Sequence, residues 1–117
     1  MGRLTTHILD TERGRPAAGV RIDILRIETQ GQVPLGQTVT NADGRTDKPL
    51  LDGEALKPGI YELHFHAGPY LEATGRKLPE PKFLDTIIIR FGVASAAEHY
   101  HVPLVLQANA YSTYRGS

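Results

Sequence analysis

The chain has no cysteine and no tryptophan, a single methionine, and only 7% aromatic residues. Without cysteine no disulfide staples the fold and no thiolate acts as nucleophile or metal ligand. The core must come from aliphatic packing, which 117 residues can supply, because a domain of that size buries roughly two-thirds of its unfolded surface. A cysteine-free chain fits a reducing compartment, and cytoplasmic residence is the expectation. An excess of charge is missing too: 13 Lys and Arg balance 13 Asp and Glu. Binding to nucleic acid by counterion release calls for a basic excess or stripe, so nucleic acid is not an expected partner. Zero net charge leaves self-association unopposed. No segment approaches the ~18 apolar residues of a membrane span. Residues 1–7 lack the apolar run of a signal peptide, so no membrane is expected as a partner either.

What is present is a period of two punctuated by Gly, Pro, Asn and Asp. Alternation predicts strands over 4–10, 20–28, 33–40, 60–67, 86–92, 99–106 and 110–114, with a short one over 45–48. Asn41-Ala42-Asp43-Gly44 reads as a turn. Residues 50–56 read as a loose helical turn. A short helix begins around Leu71-Glu72-Ala73 and is stopped by Gly75, Pro79 and Pro81. The expectation is an all-β, two-sheet sandwich of about eight strands with at most one short helix, forming a single domain over 1–117.

Five histidines are available for chemistry. In the strand over 99–106, Tyr100, Val102, Leu104 and Leu106 share one face, leaving His99 and His101 on the other. His64 and His66 repeat that spacing opposite Tyr61, Leu63 and Phe65, and read as ordinary solvated residues. A zinc site needs a third ligand, and no acidic residue flanks either pair in a recognisable pattern, so no metal is expected. His7 shares its face with Thr5 and Leu9. Arg45 follows the Asp43-Gly44 turn. Taken alone, His7 and Arg45 read as surface residues. The end, Tyr111-Ser112-Thr113-Tyr114-Arg115-Gly116-Ser117, is strand-like where termini are commonly frayed. There is no nucleophile elbow, phosphate-binding loop or dinucleotide fingerprint. Spacing alone stops at a sandwich with a histidine-bearing sheet face.

Three blocks go further. They are Leu4-Thr5-Thr6-His7-Ile8-Leu9-Asp10-Thr11 with Gly14-Arg15-Pro16-Ala17-Ala18-Gly19-Val20; Thr40-Asn41-Ala42-Asp43-Gly44-Arg45; and Glu98-His99-Tyr100-His101-Val102-Pro103-Leu104 running on to Tyr114-Arg115-Gly116-Ser117. Together they resemble the transthyretin-like 5-hydroxyisourate hydrolases along the whole chain. Two stretches depart: Gln107-Ala108-Asn109-Ala110 replaces the family's Ser-Pro, and the loop over 68–83 diverges. The resemblance implies a sandwich whose sheets join edge to edge in a dimer, two dimers forming a homotetramer with active sites at the ends of a central channel. It also implies hydrolysis of the cyclic amide of 5-hydroxyisourate to 2-oxo-4-hydroxy-4-carboxy-5-ureidoimidazoline in urate degradation, without a cofactor. The family's catalytic positions fall on His7, Arg45, His101 and Ser117, and its substrate-binding positions on Tyr114, Arg115 and Gly116. His99 lies beside them in support. Adding water to a ring carbonyl needs a base, which an imidazole supplies near neutrality. The developing oxyanion needs a fixed donor, which Arg45 supplies. The alternative is a small-ligand carrier of the same fold, which has no need of these residues together.

Overall fold

A computed structural model describes residues 1–116. Among the described residues nine strands build two sheets: β1 Arg3–Asp10, β2 Arg15–Pro16, β3 Arg21–Glu28, β4 Gly31–Val39, β5 Leu51–Asp52, β6 Gly59–His66, β7 Thr86–Val93, β8 Tyr100–Leu106 and β9 Tyr111–Thr113. One sheet runs β2-β1-β8-β9, with β5 also paired to β1; the other runs β4-β3-β6-β7. The alternation in the sequence is the alternation of burial. Leu4, Thr6, Ile8 and Asp10 of β1 point inward, while Thr5, His7 and Leu9 are only partly covered. Between the sheets lie Leu4, Ile8, Ile22, Leu63, Phe65 and Leu104, all fully buried, each side chain of that kind contributing about 1.5–3 kcal/mol on burial. The expected all-β sandwich is the observed fold. Among the described residues no helix is long and apolar enough to cross a membrane.

Three local expectations differ. Residues 45–48 form no strand; the short strand is Leu51–Asp52, paired with Arg3 and Leu4. Pro49 has no amide to donate to a ladder, so pairing begins only beyond it. The helix, α1, spans Ala67–Ala73 and so starts four residues earlier than its apolar signal; Pro69 sits in the first turn, where a missing N–H costs nothing. The segment over 50–56 contains a single 3-10 turn, Gly53–Ala55, rather than a looser helix.

The divergent loop after α1 is tied down by a buried ion pair. Asp10, fully buried, accepts from both Arg76 nitrogens at 2.7 and 3.0 Å, from the Tyr70 hydroxyl at 2.7 Å and from the Arg13 amide at 3.2 Å. Burial pushes its carboxyl up, but the bonds from Arg76, Tyr70 and the Arg13 amide outweigh it and hold Asp10 below the usual carboxylate range. Arg76→Met leaves that charge short of a partner and is expected to cost about 3 kcal/mol, read as a lower midpoint in urea unfolding. A loss no larger than the roughly 0.5 kcal/mol of an exposed pair would show that the network does not hold the loop.

Candidate active site

The site begins with a pairing that no hairpin could make. β1 and β8 lie parallel, with Thr5 opposite His101 and His7 opposite Pro103. Parallel neighbours need a long connection, here nearly the whole chain. The outward positions of both strands therefore share one surface: Arg3, Thr5 and His7 from β1, and His101 from β8. The Thr5 hydroxyl lies 2.9 Å from His101 Nδ1. Because a hydroxyl both donates and accepts, Thr5 can serve either tautomer of that ring. His101 Nε2 has no partner among the described residues.

Arg45 reaches this surface on the turn. Asn41 Oδ1 accepts the amides of Asp43 at 2.9 Å and Arg45 at 3.2 Å, and the Gly44 amide bonds the Asn41 carbonyl at 2.9 Å. The Ile8 amide then donates to the Gly44 carbonyl at 2.8 Å, docking the turn on β1. Gly44 has φ of +74°, and a Cβ there would lie 2.4 Å from the Ile8 carbonyl oxygen; both the conformation and the space require glycine. His7 completes the joint, its Nε2 lying 2.9 Å from the Asp43 carbonyl oxygen. A carbonyl only accepts, so Nε2 carries the proton and Nδ1 is the atom left to exchange one.

His101, His7 and Arg45 are close enough to feel one another. Burial first, then the Arg45 charge, then His7, lower the His101 pKa below the ordinary 6.5 for histidine, because all three penalise the imidazolium. The adjoining cleft has a volume of about 400 Å³ and is lined by Arg3, Thr5, Arg45, Lys48, His99 and His101, among others. Three permanent cations, Arg3, Arg45 and Lys48, thus face one polar hollow together with a single carboxylate, Asp47, whose Oδ1 accepts from the Asn41 side-chain amide. Among the described residues none of their charged groups pairs with a carboxylate. The arrangement suits a polar ligand that carries or develops negative charge.

The remaining expected residues are placed differently. Gly116 returns to β8, its amide donating to the His101 carbonyl at 2.7 Å. Tyr114, 61% exposed, lines a separate apolar recess with Ile89, Phe91, Tyr100 and Val102. Arg115 lies beside that recess, bonded to Glu98 and to the His99 carbonyl. Ser117 lies outside the described residues. His64 and His66 stand on the other sheet, where His64 pairs with Glu62 at 2.7 Å and His66 with Asp23 at 2.9 Å. Among the described residues no cluster of His, Asp and Glu is placed to hold a metal ion. Sequence reasoning missed Arg3, Thr5 and Lys48. The first two could have been found, since they occupy alternate positions with His7; Lys48 sits in an irregular loop that no period describes.

Fold and cleft together define a transthyretin-type sandwich bearing a histidine–arginine hollow on one sheet face. The chain belongs to the HIUase/Transthyretin family, whose family model matches residues 4–116. It is 54% identical over 117 residues, its full length, to the 5-hydroxyisourate hydrolase of Pseudomonas aeruginosa, covering 93% of that protein. Among solved structures it is similar to the 5-hydroxyisourate hydrolase of Klebsiella pneumoniae, with a TM-score of 0.82, 33% identity and full coverage of both chains. It also superposes on sea bream transthyretin in complex with thyroxine, with a TM-score of 0.87 over 97% of this chain and 94% of the other. At 23% identity that likeness is one of fold alone.

Proposed function

We propose that this protein is a hydrolase that opens the cyclic amide of 5-hydroxyisourate, giving 2-oxo-4-hydroxy-4-carboxy-5-ureidoimidazoline, and that residues 1–117 act as one domain. The observation that carries the reading is the placement of the His101 imidazole, bonded at Nδ1 to Thr5, in a cleft shared with Arg3, Arg45 and Lys48, where burial, Arg45 and His7 lower its proton affinity. His101 Nε2 takes a proton as the oxygen of water bonds to the ring carbonyl carbon. Arg45 stabilises the resulting oxyanion with a charge that needs no reorganisation. The carbon–nitrogen bond then breaks, and the departing nitrogen takes a proton from the His101 imidazolium. His7, its Nε2 held by the Asp43 carbonyl, fixes the Arg45 turn and offers Nδ1 to the substrate. Of the substrate-binding positions that the resemblance implies, Gly116 borders the His101 ring, while Tyr114 and Arg115 face the separate recess beside it. Ser117, through its hydroxyl, orients water or substrate. A carrier of the same fold has no use for an imidazole of lowered proton affinity beside three cations, and this disfavours the alternative.

The decay of freshly made 5-hydroxyisourate, followed optically with and without protein, tests the activity; equal decay in both would end the proposal. The pH profile tests the base. Since the folded-state pKa of His101 is depressed, its neutral form persists below 6.5, and kcat/KM is expected to stay level at neutrality and fall only on the acid side of 6.5. An acid limb centred above 6.5 would place the titrating base elsewhere.

The same reading includes a homotetramer, a dimer of dimers in the cytoplasm. Among the described residues the end strands β7 and β9 each leave an edge unpaired, and Ile88 of β7 is half exposed. Such edges invite pairing with another copy. Light scattering at micromolar concentration should give about four times 12.8 kDa; a fully active monomer would remove the need for neighbouring subunits.

A further inference from the structure

Beyond β9 the chain leaves the sheet at Tyr114 and Arg115 and touches it again at Gly116, which forms an isolated antiparallel bridge with His101. What brings it back is Arg115. Its Nη2 donates to Glu98 Oε1 at 3.1 Å and to the His99 carbonyl at 2.9 Å. Its guanidinium carbon lies 4.1 Å from the centre of the Tyr100 ring, within the range of a cation–π contact. Tyr100 is itself held in place: it is buried and its hydroxyl accepts the amides of Ala94 and Ser95 at 3.1 and 3.0 Å. All three contacts of Arg115 fall on residues 98–100, immediately before His101.

Gly116 then lies against the imidazole. A Cβ at that position would lie 2.6 Å from His101 Cδ2 and 3.3 Å from Cγ. Gly116 is not among the glycines with positive φ, so glycine is required there for space rather than for backbone conformation. The ring is thereby confined on two sides, by Thr5 at Nδ1 and by the Gly116 backbone at Cδ2, with Nε2 left available.

We propose that Arg115 is a positioning residue, acting through Gly116 to hold the His101 imidazole in register with Thr5. This deepens the hydrolase reading and rests on it for the role of His101. The planar fork that bonds Glu98 and a carbonyl while stacking on a ring belongs to arginine and not to lysine, so charge alone does not replace it.

Arg115→Lys, Glu98→Gln and Gly116→Ala test the idea, with two readouts. The first is the His101 ring itself, followed by nitrogen-15 NMR as a pH titration without substrate. All three variants are expected to change its tautomer ratio or move its titration midpoint, while Thr5 and the fold stay in place. The second is steady-state kinetics. Displacing a reacting group by about 1 Å costs up to about a hundredfold, so kcat is expected to fall between about tenfold and a hundredfold with KM little changed. Arg115→Lys with a raised KM, normal kcat and an unaltered His101 titration would make Arg115 a substrate ligand and overturn the proposal. An unaltered ring in all three folded variants would overturn it as well. If 5-hydroxyisourate is not a substrate, the kinetic readout is silent for every form including the parent. The NMR titration still decides whether Arg115 holds the ring. Should Gly116→Ala not fold, Glu98→Gln, a surface change, carries the test.

Discussion

His101→Asn is expected to lower the turnover of 5-hydroxyisourate by about a hundredfold or more, the scale of a lost acid or base. Asparagine keeps a polar atom within reach of Thr5 but cannot exchange a proton at neutral pH. The fold should be unaffected, because His101 lies outward on β8 while Val102, Leu104 and Leu106 supply the core contacts of that strand. His64→Asn and His66→Asn are the internal controls. Both residues sit on the β3-β6-β7 face, paired with Glu62 and Asp23, and neither touches the cleft, so their rates should match the parent. Equal losses at all three positions would show that removing any histidine perturbs the protein nonspecifically, and the assignment of His101 as base would fall.

Deletion of residues 114–117 should abolish hydrolysis and leave the sandwich folded. The ladder of β9 with β8 ends at Thr113, whose hydroxyl bonds the Pro103 carbonyl at 2.7 Å. The cut therefore removes no core side chain and no pair of the β8–β9 ladder, only the isolated Gly116–His101 bridge. It does remove Gly116 from the edge of the His101 ring and Arg115 from Tyr100. The measurements are hydrolysis rate and circular dichroism on the same sample. Full activity in a folded truncation would reduce the terminal motif to a family signature. If the truncation does not fold, Ser117→Ala and Tyr114→Phe in the intact chain separate a catalytic tail from a structural one, since both leave Arg115 and its partners Glu98, His99 and Tyr100 unchanged.

The strands were legible because their signal is local. In β1 the inward set Leu4, Thr6, Ile8 and the outward set Thr5, His7, Leu9 follow directly from alternation, and the same holds for Tyr100, Val102 and Leu104 in β8. The turn over 41–44 was legible because Asn41 and Gly44 each have a local task there, one capping amides and the other adopting positive φ. The start of α1 was not, since Ala67-Gly68-Pro69 carries no helical period and is held by packing, including a bond from the Gly68 amide to Asp85. The strand expected over 45–48 failed for a related reason: its polar residues spend their bonds within the loop, as Thr46 does on the Lys48 carbonyl.

By itself, then, the sequence determined which segments extend, which faces turn inward, and, through three blocks shared with a known family, which side chains to suspect. It contained nothing that placed Thr5 beside His101. Those residues are 96 positions apart and meet because β1 and β8 pair in parallel, a contact made by the closure of the whole sandwich and announced by no turn. The same closure brings the Arg45 turn against β1, lowers the proton affinity of His101 through its neighbours, and folds Arg115 back onto Tyr100. Periodicity reports what each strand does with its own two faces. Which strands become neighbours depends on how two apolar faces bury one another, and only the assembled tertiary structure resolves that.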